Sequence, residues 1–137
     1  MRIGIDIMGG DLAPKTTIKG SILAKKHLPT DIEIILYGVK KIITSTLKKY
    51  NTPINTFNII DCPETIEMDE HAIKGLRNNP NSSISIGIQH LSENKIDGFA
   101  SAGNTGAMFV AGFHSIRPVS GIIRPCISSI LPKENGK

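Results

Sequence analysis

The sequence predicts an α/β protein built on a largely parallel, doubly wound sheet with helices on both faces. Short β-branched apolar runs alternate with segments of helical period, and Gly, Pro, Asn and Ser mark the turns between them. Parallel strands joined by helical crossovers follow from that alternation. The length of 137 residues suits one domain and is enough to bury a core. No internal repeat, linker or low-complexity tract divides the chain.

Arg2 to Met8 opens as a strand, alternating Ile3, Ile5 and Ile7 with smaller or polar residues, and Gly9 and Gly10 end it. Pro14 suits a first helical turn, and Ile18, Ile22, Leu23 and Lys26 follow at helical spacing. Ile32 to Val39 is a second strand; Lys40 to Tyr50 is a helix with Ile42, Ile43 and Leu47 on one face, broken by Asn51 to Pro53. Phe57 to Asp61 is a third strand. Asp69 to Asn78 and Ser82 to Glu93 read as helices, separated by NNPNSS, which offers Asn81 or Ser82 as an N-cap. Gly98 to Ala102 is the fourth strand, Thr105 to Ile116 the next helix and Pro125 to Leu131 a fifth strand.

Composition narrows the function classes. A hydrophobic share of 39% and a charged share of 20% suggest neither disorder nor a membrane protein. No apolar run approaches the roughly 20 residues of a spanning helix. The N-terminal MRIGIDIMGGD carries Asp6 where a secretory signal needs an uncharged stretch, so it reads as the first strand of a cytoplasmic protein. Cys62 and Cys126 are solitary and read as packing thiols. The net charge of +4 is carried by lysine pairs such as Lys25–Lys26, Lys40–Lys41 and Lys48–Lys49. They serve as solvated surface or attract an acidic partner or an anionic bilayer. Aromatics at 4% and the absence of Trp leave little for base stacking, which argues against nucleic acid.

The segment DGFASAGNTGA, Asp97 to Ala107, is the strongest candidate site. Ser101, Asn104 and Thr105 place neutral donors beside Gly103 and Gly106 at a strand-to-helix turn, where backbone N–H groups and the helix dipole can hold phosphate or an oxyanion. Asn104 or Thr105 could instead simply cap the helix. The pattern is neither GxGxxG nor a Walker A loop, so nucleotide binding gains no support. DIMGGD offers a second turn with Asp6, Gly9, Gly10 and Asp11, either an anion-facing wall or a structural turn; Asp11 would repel phosphate and better suits a helix cap or the orientation of a hydroxyl, cation or basic side chain.

Arg117 and Arg124 supply guanidinium forks suited to phosphate oxygens, or ordinary surface charge. Met68, Asp69 and Glu70, with Arg77, Ser82 and Ser83, form a further group in which helix-start stabilisation is the simpler role. His27, His71, His90 and His114 lack ligand spacing such as HExxH, and no GxSxG elbow is present, so metal and serine hydrolases lose ground.

Taken together, DIMGGD at 6–11, MDE at 68–70, RNNPNSS at 77–83, SAGNTGA at 101–107 and GIIRPCISSILP at 121–132 resemble the bacterial phosphate acyltransferases of phospholipid synthesis, the PlsX family. The resemblance runs in order along essentially the whole chain. It implies transfer of a fatty acyl group from acyl-acyl carrier protein to inorganic phosphate, giving acyl phosphate for a membrane glycerol-phosphate acyltransferase. It further implies a homodimer, cytoplasmic and peripherally membrane-associated, with a fold similar to isopropylmalate dehydrogenases and phosphotransacetylases. No cofactor, metal or nucleic acid is implied. Ile7 stands where the family usually has Ala, His71 and Ala72 where it has His and Pro, and Cys126 where it has Ala.

Family members are more than twice as long, so 1–137 reads as the N-terminal portion of a single α/β phosphate acyltransferase domain. Such a piece is expected to leave a sheet edge unpaired and apolar helix faces uncovered. In the mechanism we expect, phosphate attacks the thioester directly and the protein supplies positioning and oxyanion stabilisation. Asn104, Thr105 and Ser101 are the expected catalytic residues. Asp6, Gly9, Gly10, Asp11, Gly103, Gly106, Arg117 and Arg124 are expected to bind phosphate or substrate. The rival readings are a non-catalytic anion-binding fragment, or one half of a split enzyme; a dehydrogenase of the related fold would need a nicotinamide segment and acidic metal ligands that the sequence lacks.

Overall fold

The computed structural model of the chain describes residues 1–123 and 125–129. Its centre is a four-stranded, all-parallel sheet of β1 (Arg2–Asp6), β2 (Glu33–Gly38), β3 (Asn58–Asp61) and β4 (Gly98–Ala100), in the order β3-β2-β1-β4. Five helices surround it: α1 (Lys15–His27), α2 (Lys40–Lys49), α3 (Ala72–Asn78), α4 (Ser83–Ser92) and α5 (Thr105–Ser115). A 3-10 turn at Ile54–Thr56 leads into β3.

β2 lies inside the sheet and is apolar on both faces, as a parallel strand covered twice must be. Its alternation separates two cores. Ile34 and Leu36 face α1 and α2, packing with Ile18, Ile43, Leu47 and Phe57, whereas Ile35 and Tyr37 join Cys62 and Ile96 on the opposite face, near α4. A third core, of Ile66, Ile84, Ile88, Ala107 and Ala111, ties α4 to α5.

Several boundaries differ from the sequence expectation. β1 ends at Asp6, because that carboxylate folds back onto the next turn. Pro14 sits just before α1, in the N-cap position, and no side chain caps that helix; Asp11 is exposed and is not its cap. Asp69 to His71 remain outside α3, since the backbone just before it is held by Asn104. The expected fifth strand does not form over residues 125–129, where Pro125 lacks an N–H and no strand lies alongside; Ile130 and Leu131 fall outside the described residues. Cys62 is a buried packing thiol as read, its pKa pushed up to about 12 by burial, but Cys126 is exposed. Among the described residues β4 has no outer partner, and Phe109 and Phe113 on α5 are exposed.

Candidate functional site at the sheet switch point

β1, β2 and β3 are laid down in one direction across the sheet, and β4 then returns to the other side of β1. The chain therefore diverges at the carboxyl ends of β1 and β4, the place where open α/β sheets form a ligand crevice. DIMGGD follows β1 and SAGNTGA follows β4, so the topology brings both motifs to this point.

A buried polar node joins them. Asp6 is only 2% exposed, and its Oδ1 accepts from the backbone N–H of Met8 at 3.0 Å and Gly9 at 3.1 Å. Its Oδ2 accepts from the Ser101 hydroxyl at 2.6 Å, and Ser101 Oγ in turn accepts from the Gly103 N–H at 2.9 Å. The Ser101 proton is thereby committed to Asp6, and Ser101 acts as the link that aims the Gly103 backbone.

The two turns also touch directly. A Cβ added to Gly9 would lie 2.6 Å from Gly103 N and 2.8 Å from its Cα, so backbone meets backbone there. Gly10, with φ of +107°, occupies a conformation that side chains disfavour.

Asn104 begins α5 and is 7% exposed. Its Oδ1 accepts from Ala107 N–H at 2.9 Å, a capping bond. Its Nδ2 donates to the carbonyls of Glu67 at 3.1 Å and Glu70 at 2.8 Å, with Met68 O at 3.4 Å. One side chain thus fixes the start of α5 and straps the 67–70 loop across it. The first-turn N–H groups of Thr105 and Gly106 have no intrahelical acceptor, and both residues are exposed. They form the positive end of α5 at the crevice mouth.

The structure therefore gathers Asp6, Gly9, Gly10, Ser101, Gly103, Asn104, Thr105 and Gly106 at one place. Arg117 is not among them: it follows the 11-residue α5 at its far end, about 16 Å of helix rise from the glycine turn, beside Phe113 and Cys126. Arg124 lies outside the described residues. Ser82 caps α4, its Oγ accepting from Ser85 N–H at 3.3 Å, and with Ser83 it is buried structure.

Sequence reasoning missed that the MDE segment serves through its backbone carbonyls. The signal was present in the motif itself, but only the Asn104 contacts give it that role. Glu64 is a second omission, accepting from Asn81 N–H at 2.7 Å and so anchoring the far end of the same loop. Ala72 faces Gly106, where an added Cβ would meet its own at 3.1 Å. A groove of about 400 Å³ lies between α3 and α5, with Ile73, Leu76, Arg77, Val110, Ala111 and His114 in its lining. Among the described residues no group of three or more His, Cys, Asp and Glu side chains is close enough to hold a metal ion, and no helix is long and apolar enough to cross a membrane.

The family model for the fatty acid synthesis protein matches residues 1–137. The chain belongs to the fatty acid synthesis protein family. Relatives in that family include proteins named phosphate acyltransferase from Caldicellulosiruptor bescii, 42% identical over 137 residues, and from Halothermothrix orenii, 43% identical over 136. A phosphate acyltransferase of Endomicrobium trichonymphae is 36% identical over 140 residues. These alignments take in 99–100% of this chain but 40–41% of each relative, so the chain spans about two fifths of their length.

Proposed function

We propose that this chain supplies the phosphate-binding half of an acyltransferase site, at which a fatty acyl group passes from acyl-acyl carrier protein to inorganic phosphate. The observation that carries this reading is the exposed first turn of α5 at the switch point, held in place by Asp6, Ser101 and Asn104. Phosphate oxygens take the N–H groups of Thr105 and Gly106, with the Thr105 hydroxyl as a further donor. An oxygen of hydrogen phosphate attacks the thioester carbonyl carbon, the C–S bond breaks, and the proton of the phosphate passes to the departing sulfur, so the carrier leaves as its thiol. The protein contributes position and charge stabilisation and needs no nucleophile of its own. Asn104 and Ser101 act here as positioning residues, because their polar atoms are already engaged. The groove between α3 and α5, whose lining on α5 starts at Val110, about one helical turn beyond Gly106, is apolar enough to take part of the acyl chain.

In this reading the acyl phosphate feeds a membrane glycerol-phosphate acyltransferase, and the enzyme works as a cytoplasmic homodimer held peripherally at the bilayer. The names of the relatives and the match over 1–137 support the reaction class. The test is acyl phosphate formation, trapped with hydroxylamine, from acyl-acyl carrier protein and phosphate. The chain is assayed alone and mixed with a polypeptide matching the remaining three fifths of its relatives. Phosphate-dependent product that falls at least tenfold in Thr105→Val supports the assignment; unchanged turnover in that variant removes the Thr105 hydroxyl from the chemistry, and the absence of phosphate-dependent product in both assays overturns the reading.

The exposed first turn of α5 also fits a second reading, a non-catalytic anion-binding fragment or one half of a split enzyme. Phosphate binding without product in the chain alone identifies the fragment, and product that appears only on mixing identifies the split enzyme.

A further inference from the structure

Positive charge is not spread evenly over this chain. α1 carries Lys15, Lys19, Lys25 and Lys26, α2 carries Lys40, Lys41, Lys48 and Lys49, and neither helix holds an acidic residue. Two neighbouring helices thus hold half of the 16 Lys and Arg and none of the 12 Asp and Glu, in a chain whose net charge is only +4. Among the described residues the salt bridges are Arg2–Asp97 and Lys95–Glu93, so none of these eight lysines is paired. Asp61, the acid nearest the start of α2, is turned to the backbone N–H of Lys40 at 2.9 Å.

Five of these lysines, Lys15, Lys19, Lys25, Lys26 and Lys49, line the seam between the two helices, which is apolar between them. Leu23 is 57% exposed, Tyr50 40% and Ile42 36%. Three adjoining depressions, of about 500, 230 and 340 Å³, run along the α1–α2 seam, and Tyr50 borders all of them. Lys15 and Lys49 flank the first, Lys19 and Lys26 the second. The seam is a concave, cation-edged groove. Its upper end reaches Pro14 and Lys15, a few residues beyond the Gly9–Gly10 turn of the candidate site.

We propose that the α1–α2 face docks an acidic helical protein, the carrier that delivers the acyl group. A helix laid in the groove meets Tyr50 and Leu23 with its apolar side and the lysines with its carboxylates. A flat anionic bilayer would meet the lysines and leave the groove unfilled, so the concave shape favours the protein. This rests on the carrier-borne thioester of the proposed reaction, and it adds where the carrier sits.

The test measures binding rather than turnover, using the 137-residue chain and apo-acyl carrier protein, which lacks both acyl chain and phosphopantetheine, followed by fluorescence anisotropy. Kd is expected to rise about tenfold between 50 and 300 mM salt, as charged pairs at a partly exposed interface weaken. Lys19→Glu/Lys49→Glu should weaken binding at least tenfold, whereas Lys74→Glu/Lys95→Glu, which changes as many charges elsewhere, should weaken it less than threefold. Lys19→Gln/Lys49→Gln should fall between wild type and the Glu pair, giving a second reading if charge reversal perturbs folding.

Equal loss in the two Glu pairs, salt-independent binding, or no binding overturns the proposal. So does binding to phosphatidylcholine–phosphatidylglycerol vesicles that depends on Lys19 and Lys49 while carrier binding does not. A chain that docks the carrier through these lysines yet makes no acyl phosphate when mixed with a polypeptide matching the rest of its relatives supports the surface and sinks the reaction. Intact acyl phosphate formation with lysine-indifferent binding does the reverse.

Discussion

Ser101 Oγ lies 2.6 Å from Asp6 Oδ2, a hydrogen bond between residues 95 positions apart that closes the crevice floor. Ser101→Ala removes the donor and leaves a buried carboxylate oxygen short of one partner, which costs about 1–3 kcal/mol. Asp6→Ala also strips the acceptor from the N–H groups of Met8 and Gly9, so it is expected to cost more than Ser101→Ala. Urea unfolding of the two variants checks the order; a Ser101→Ala midpoint equal to wild type would show that the bond contributes nothing net.

Asn104 has two separable tasks. Asn104→Ala loses both the cap and the loop strap, and about 2 kcal/mol of destabilisation is expected from one cap and one or two net hydrogen bonds. Asn104→Asp keeps an acceptor for Ala107 N–H but sets a carboxylate against the carbonyls of Glu67 and Glu70. Amide exchange in residues 66–71 should therefore accelerate in both variants, while exchange at Ala107 should accelerate only in the alanine variant. Unchanged exchange in the loop would show that it is held by Glu64 and its own contacts instead.

Two glycines should respond oppositely to the same substitution. Gly9→Ala forces a Cβ within 2.6 Å of backbone on the facing turn and is expected to destabilise by roughly 1–3 kcal/mol or prevent folding. Gly20 lies within α1 with no atom within 4 Å of its added Cβ, so Gly20→Ala should stabilise by about 0.5–1 kcal/mol. Thermal melts of both variants against wild type decide this.

His90 should make stability depend on pH. Its Nδ1 lies 2.9 Å from the hydroxyl of the buried Tyr37, and burial, helped by Lys95, lowers its pKa below the ordinary 6.5. Above that value both folded and unfolded chains hold the ring neutral. As pH falls below 6.5 the unfolded chain takes up a proton first, so stability is present in full at neutral pH and declines through the acidic window towards the depressed folded value. The melting temperature should drop between pH 7 and pH 5, and His90→Gln should flatten that slope; an equal slope in the variant would place its origin elsewhere.

Much of the fold was legible because apolar period and turn chemistry are local properties. The β-branched run of β2, the helical spacing of Ile43 and Leu47, and the Ser82 cap could each be read from a few neighbouring residues. So could the glycine turn at Gly103 and Gly106 and the likeness of its company to a family of acyltransferases. The misread parts depended on distant partners. Asp69 to His71 carry a helix-like pattern, but Asn104 claims the carbonyls just before α3. Residues 125–129 carry a strand-like pattern, and a strand also needs a neighbour.

The sequence by itself determined the alternating α/β plan, the two glycine turns and the small polar residues around them, because propensity and spacing act within a dozen residues. Only the tertiary structure decided which of those residues meet. Strand order β3-β2-β1-β4 placed Asp6 against Ser101, left Arg117 at the far end of α5, and laid α1 beside α2 so that Lys15, Lys19, Lys25, Lys26 and Lys49 line one seam. Such encounters follow from the packing of whole elements, which no single stretch of chain encodes.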